Sequence, residues 1–185
     1  MGQFGGSLSC PNFAEYKLGE MFGMNKQETY LFLKEQGIYY EVIEHQAVFT
    51  MEESNSVYIP YPEGDAKNLF VRDDKKRNYY LITVKGDKRV DLKEFRKTHG
   101  LRSLSFGSAE ELMSLLGILP GAVTPLGLLN DVERKVVFYL DEAFMGGMIA
   151  VHPNDNTATV WMKTEDLIRI LKEHGSIIHI VEMIG

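Results

Sequence analysis

Apolar residues recur along this chain at two spacings, and the switches between them mark out its elements. KQETYLFLKEQG (26–37) sets Tyr30, Leu31, Leu33 and Lys34 in a helical pattern closed by Gly37, and YYEVIEH (39–45) then alternates as a strand. Thr50 and Glu53 have capping-box spacing for a second short helix, which YIPYPEGDA is too rich in Pro and Gly to continue. KNLFVRD (67–73) and NYYLITV (78–84), separated by DKKR, read as a hairpin with a charged turn. RVDLKEFRKTHG predicts a short strand running into a helix that ends at Gly100, and LRSLSF a further strand. Ser108 and Glu111 cap the next helix, AEELMSLLG, with Leu112, Leu115 and Leu116 on its buried face. KVVFYLD, GMIAVHP and TATVWM are three β-rich runs; Thr164 opens an amphipathic helix, EDLIRILKEHG, and IIHIVEM closes as a strand.

Strands outnumber helices and mostly follow one another, so strict βαβ alternation is absent. The expected class is α+β, with a mixed, barrel-like β-sheet surrounded by helices. Residues 1–25 are glycine-rich without a clear period and read as a loosely ordered leader; residues 26–185 read as one domain.

One stretch fits neither spacing. PGAVTPLGLLND (120–131) is apolar enough for a strand or helix, yet carries Pro120, Gly121, Pro125 and Gly127. Proline fixes φ and glycine permits positive φ and close approach, so the run specifies a shaped loop, either a corner or a cradle whose exposed N–H groups hold an oxyanion or carbonyl.

Composition narrows the possibilities. With 44% apolar and 25% charged residues the chain has the make-up of an ordinary soluble protein. No apolar run is long enough for a membrane span and the start lacks the order of a signal peptide, so a cytoplasmic location without membrane attachment is expected. The lone Cys10 leaves no internal disulfide. A net charge of −6 argues against a general nucleic-acid grip, but Arg72 to Lys97 holds ten Lys/Arg against five acids. That segment reads either as a solvated face or as an edge turned to a polyanion.

The chain has no GxSxG elbow, Walker loop, HExxH or GxGxxG, which removes the main support for serine hydrolase, P-loop, zincin and Rossmann readings. His45, His99, His152, His174 and His179 show no close metal-ligand spacing, and neither metal nor cofactor is expected. His99 and His174 each precede a glycine at a helix end, where a cation suits the dipole. Lys67 opens a strand after a glycine-containing loop, and His152 ends an apolar run before a polar turn; taken singly, both have ordinary structural readings.

Four segments in order, HQAVFTMEE (45–53), GDAKNLFVRD (64–73), LSFGSAEELMSLLGILPGAVTPLGLLND (104–131) and VHPNDNTATVWMKTEDLIRIL (151–171), resemble the YbaK family of aminoacyl-tRNA editing proteins. The chain looks closest to the freestanding prolyl-tRNA editing type, the ProX or PrdX-like Ala-tRNA(Pro) deacylases, over roughly residues 28 to 184. The family's lysine falls on Lys67, followed by Asn68. Its GxxPGxxTPxG loop falls on Gly117, Pro120, Gly121, Thr124, Pro125 and Gly127, and its histidine on His152.

The resemblance implies hydrolysis, in trans, of a wrong amino acid from the 3′ end of tRNA(Pro), with prolyl-tRNA synthetase as a further expected partner. Alanine is the favoured substrate and cysteine the competing one; a noncatalytic tRNA-binding module of the same fold is the other alternative. In this reading Lys67 binds the terminal phosphate or the ester region, and backbone amides near Gly121, where a side chain would occupy the substrate's space, engage the aminoacyl carbonyl. Asn68, Thr124, Asn130 and His152 line the pocket, and Lys75, Lys76, Arg77, Lys88 and Arg89 meet the acceptor stem. The sequence singles out no general base.

Overall fold

A computed structural model describes residues 23–46 and 60–183. The leader over 1–22 and the short helix expected from Thr50 and Glu53 lie outside the described residues.

Local signals set most boundaries. Helix α1 (Lys26–Glu35) starts at Asn25, whose side chain accepts from the Glu28 N–H while the Glu28 carboxylate accepts from the Asn25 N–H. The chain turns at Gly37, φ +65°, into β1 (Tyr40–Glu44). A 3-10 turn at Pro62–Gly64 leads into the hairpin β2 (Ala66–Asp73) and β3 (Tyr79–Lys85).

The strand expected just before the next helix does not form. Asp91 instead caps α2 (Leu92–Thr98), its carboxylate accepting from the Lys93 and Glu94 N–H groups. After β4 (Leu104–Phe106), the reciprocal Ser108–Glu111 cap opens α3 (Ala109–Leu116), which buries Leu112 and Leu116 and ends at left-handed Gly117. The Pro/Gly stretch holds a 3-10 segment at Pro125–Asn130. Then come β5 (Val136–Asp141), a 3-10 turn at Glu142–Phe144, β6 (Met148–Val151), β7 (Ala158–Lys163), α4 (Thr164–His174) and β8 (Ile178–Val181).

The α+β class and mixed sheet expected from the pattern are present, with the described strands divided between two sheets. One has the order β4-β2-β3-β5-β8, antiparallel from β4 to β3 and parallel from β3 to β8. The other is antiparallel, β1-β7-β6.

The main core joins inward residues of both sheets, such as Phe70, Leu81, Phe138, Ile149 and Val160, to Phe32, Leu116, Leu126 and Leu171. A second cluster lies on the far face of the five-stranded sheet under α2, around Val71, Ile82, Val84, Phe95 and Tyr139. His99 packs there against Phe95 and Tyr139, at 4.4 and 5.0 Å between ring centres. His174 sits buried in the last turn of α4 with Nε2 3.1 Å from the Asp131 carbonyl. Both have structural roles, but burial pushes the His99 pKa below its ordinary value, which disfavours the cation expected at that helix end.

Candidate active site

The Pro/Gly stretch is a buried rod with an exposed bend. Thr124 is fully buried, and its hydroxyl accepts from the Leu126 N–H at 3.4 Å, capping the 3-10 segment; Pro125 to Leu129 are buried behind it. Gly121 stands outside this rod, exposed, with φ +91°. The backbone thus supplies a reason for glycine that is independent of any ligand, since an L side chain is strained in that region. At the other end Asn130 donates to the Leu116 carbonyl at 2.7 Å and accepts from the Met24 N–H at 2.9 Å. Thr124 and Asn130, expected to line a pocket, are therefore both engaged in holding the loop itself.

The polar turn after β6 lies against this loop. A Cβ built at Gly127 would sit 3.8 Å from Asn154 Oδ1, and Asn154 reaches the Met24 carbonyl at 2.9 Å. His152 opens the turn, with Nδ1 3.0 Å from the Ala158 carbonyl. A carbonyl only accepts, so Nδ1 carries the hydrogen and Nε2 of the neutral ring keeps a lone pair that meets no donor among the described residues. Burial pushes the His152 pKa below its ordinary value; the Ala158 carbonyl opposes the shift, His45 adds to it and Asp155 opposes it. The ring is thus a neutral acceptor at pH 7.

His45 is the neighbour that sequence reasoning did not single out. Its Nε2 lies 3.0 Å from Thr159 Oγ1 and its Nδ1 2.8 Å from the Gln46 carbonyl. Continuing the β6–β7 register beyond Val151↔Val160 sets His152 opposite Thr159. The two histidines therefore share the outer face of the three-stranded sheet, away from the main core. The available signal was position, since His45 opens the first of the four segments.

Lys67 and Asn68 leave β2 on opposite faces because strand side chains alternate. Lys67 faces the side of its partner Val84, in the second cluster, whereas Asn68 shares the face of Phe70 and accepts from the Thr83 hydroxyl at 2.6 Å. The pair that sequence reasoning put together in one pocket is split by this pleat. Lys67 is half-buried, and among the described residues no carboxylate comes within ion-pair distance of its ammonium. Asp65 is close enough to feel it: partial desolvation raises the Asp65 pKa, while the Ala66 N–H and Lys67 pull it back.

The segment leading to Lys67 also reaches the three-stranded sheet. At Gly64 a Cβ would stand 2.6 Å from the Met148 carbonyl and 3.0 Å from the Trp161 ring. The described residues of the first three segments thus approach the β6–β7 hairpin, which runs into the fourth.

The basic segment divides. Lys75, Lys76 and Arg77 are exposed in the β2–β3 turn, where buried Asp73 accepts from the Lys75 and Arg77 N–H groups at 3.1 and 2.9 Å. Lys76 and Arg77 also border an open depression of about 460 Å³ with Tyr79, Glu111 and Lys135. Lys88 and Arg89 follow β3 at the opposite end, roughly 25 Å away by the rise of an eight-residue strand. Arg89 is exposed, but Lys88 pairs at 2.9 Å with fully buried Asp141 and donates to the Met183 carbonyl. Its charge is committed inside the protein. Among the described residues no three His, Cys, Asp or Glu gather as a metal site, and no helix is long and apolar enough to cross a membrane.

Comparison with known proteins places this arrangement. The model of the family described as "Aminoacyl-tRNA editing domain" matches residues 45–170. The prolyl-tRNA editing protein ProX of Acetoanaerobium sticklandii is 40% identical over 159 residues, covering 85% of this chain and 97% of that protein. The mouse prolyl-tRNA synthetase associated domain-containing protein 1 is 38% identical over 141 residues, 73% of this chain and 82% of its own. A crystal structure of a protein put forward as a trans-editing enzyme for prolyl tRNA synthetase shares the fold, with a TM-score of 0.62 at 21% identity over 88% of this chain and 99% of that one. With the described residues of the four segments gathered at one hairpin and this match to both sequence and fold, the chain belongs to the aminoacyl-tRNA editing domain family.

Proposed function

We propose that the protein hydrolyses the ester of mischarged tRNA(Pro), with alanine as the preferred amino acid, acting in trans in the cytoplasm. A synthetase pocket built for proline discriminates poorly against a smaller apolar amino acid, because one methylene is worth only about 1–3 kcal/mol. A second, smaller site removes what slips through and excludes proline by size. Cysteine is the competing small substrate.

The observation that carries this reading is His152, a ring held neutral with Nδ1–H on the Ala158 carbonyl and an Nε2 lone pair that meets no donor among the described residues. An aminoacyl ester is already activated, so it needs an oriented water and a polarised carbonyl more than a strong nucleophile. His152 Nε2 accepts a hydrogen bond from that water. The water oxygen adds to the ester carbonyl as one of its protons passes to Nε2; the bond to the ribose oxygen breaks as Nε2 gives that proton to it, and the water's other proton goes to solvent as the amino acid leaves as its carboxylate. Backbone N–H groups at the exposed Gly121 bend polarise the carbonyl, and Lys67, without an ion pair among the described residues, binds the phosphate of the terminal nucleotide. Lys75, Lys76, Arg77 and Arg89 provide the weak, salt-sensitive contact with the acceptor stem.

The test is single-turnover hydrolysis of Ala-tRNA(Pro) by the purified protein and by Lys67→Ala. Loss of at least tenfold in rate in a variant with unchanged circular dichroism supports the assignment. An unchanged rate in the folded variant removes Lys67 from the site, and no hydrolysis by the wild type returns the chain to the noncatalytic reading.

A further inference from the structure

The outer face that carries His45 and His152 also carries Trp161, the chain's single tryptophan. Trp161 pairs with Ala150 and Glu41 across its neighbouring strands, and Thr159, opposite His152, lies two residues along the same face. Two strand residues span roughly 7 Å, the scale of one nucleoside. On its other side the ring meets Gly64, three residues before Lys67, and Tyr61, at 5.8 Å between ring centres. Trp161 therefore lies next to Thr159, which faces His152, and against the turn that leads into the strand of Lys67.

Its surroundings satisfy the ring but not the nitrogen. Trp161 is 3% exposed, and its Nε1–H is buried with no acceptor among the described residues. Tyrosine and tryptophan normally bury their polar tip against a partner, so a closed-over indole N–H is an unmet demand for one. The small side chain of Ala150 leaves the adjoining position low. Tyr61 donates to the Glu41 carboxylate at 2.5 Å on the same face and belongs to the turn that packs on the indole.

We propose that Trp161 is a substrate-contacting residue: the Tyr61–Gly64 turn that covers the indole moves aside on binding, and Nε1–H donates to the terminal adenosine of the tRNA acceptor end, one nucleoside's length from the ester held at His152. This rests on the editing function proposed above. It assigns the adenosine, not the amino acid, as the group that Trp161 recognises.

A single tryptophan lets binding be read directly. The probe is alanine joined by an amide to 3′-amino-3′-deoxyadenosine, a stable mimic of the charged end, with alaninamide as the arm lacking adenosine. The wild type's intrinsic emission shifts saturably with the adenosine probe and not with alaninamide. Trp161→Phe keeps a ring and removes the N–H; it binds the probe, measured as inhibition of Ala-tRNA(Pro) hydrolysis, roughly 3- to 10-fold more weakly, the range for one neutral hydrogen bond. Its melting temperature does not fall, because no internal partner loses a bond.

A wild type that hydrolyses Ala-tRNA(Pro) but shows no emission change at inhibiting probe concentrations overturns the role of Trp161 and leaves the editing function standing. Equal inhibition constants for wild type and Trp161→Phe do the same. A wild type that neither hydrolyses Ala-tRNA(Pro) nor binds the probe overturns both.

Discussion

Asn130 and Asn154 hold the two polar backbone atoms of one residue: Asn130 Oδ1 accepts from the Met24 N–H and Asn154 Nδ2 donates to the Met24 carbonyl, each at 2.9 Å. Asn130 ends the Pro/Gly stretch and Asn154 belongs to the turn after His152. Two segments more than twenty residues apart in the chain are thus fastened to the same peptide, at the entrance to α1.

This clamp predicts a stability effect with little catalytic effect. Asn130→Ala leaves the Met24 N–H and the Leu116 carbonyl without their partner and costs about 1–3 kcal/mol in urea unfolding. Asn154→Ala costs less, and the double variant loses less than the sum because both side chains secure Met24. A rise in KM for Asn130→Ala without loss of stability would return Asn130 to the substrate pocket.

His152 predicts the acid limb of activity. Its neutral form is the working one, and burial places its pKa below 6.5, so activity persists as pH falls through 6.5 and declines only beneath it. The sign for stability is the same: a histidine kept neutral in the fold favours unfolding as it becomes protonated, so stability falls with falling pH across that window. The pH profile of kcat/KM measures this, and His152→Ala removes the limb along with most of the rate. An inflection above 6.5 would contradict the buried neutral ring.

The basic residues divide by what they already hold. Reversing Lys75, Lys76 and Arg77 raises KM and flattens its salt dependence while leaving the melting temperature nearly unchanged, since all three are exposed. Lys88→Ala does the opposite. It leaves Asp141 buried without its cation and destabilises by about 3 kcal/mol, the lower end for a broken buried pair, because Lys88 itself is partly exposed. Thermal melts and salt-dependent kinetics on the two variants separate these roles.

Much of this was legible in residue order because the signals were local. The cap at Ser108, the glycine at 117 and the alternation through 67–73 and 78–84 act within a few residues, so helix α3 and the β2–β3 hairpin could be located from the chain alone. What was not legible depends on partners distant in sequence. Nothing near Lys88 announces Asp141, fifty-three residues away, and nothing near His45 announces Thr159. Lys67 and Asn68 show a different failure. The resemblance assigned both to one site, while the pleat sends neighbouring strand residues to opposite faces. Gly121 was identified as special, but its φ of +91° supplies a conformational reason that the sequence could not distinguish from a need for space. Gly121→Ala therefore disturbs the backbone as well as the site, and is the weaker probe of the two.

The central claim is a size sieve acting on the aminoacyl end of tRNA(Pro), and its most direct measurement is the single-turnover hydrolysis rate of Ala-, Cys- and Pro-tRNA(Pro) by the purified protein under one set of conditions. The account predicts that Ala-tRNA(Pro) is cleaved fastest and that Pro-tRNA(Pro) stays at the uncatalysed rate. Fastest cleavage of Pro-tRNA(Pro), or rates that do not depend on the amino acid, would contradict it.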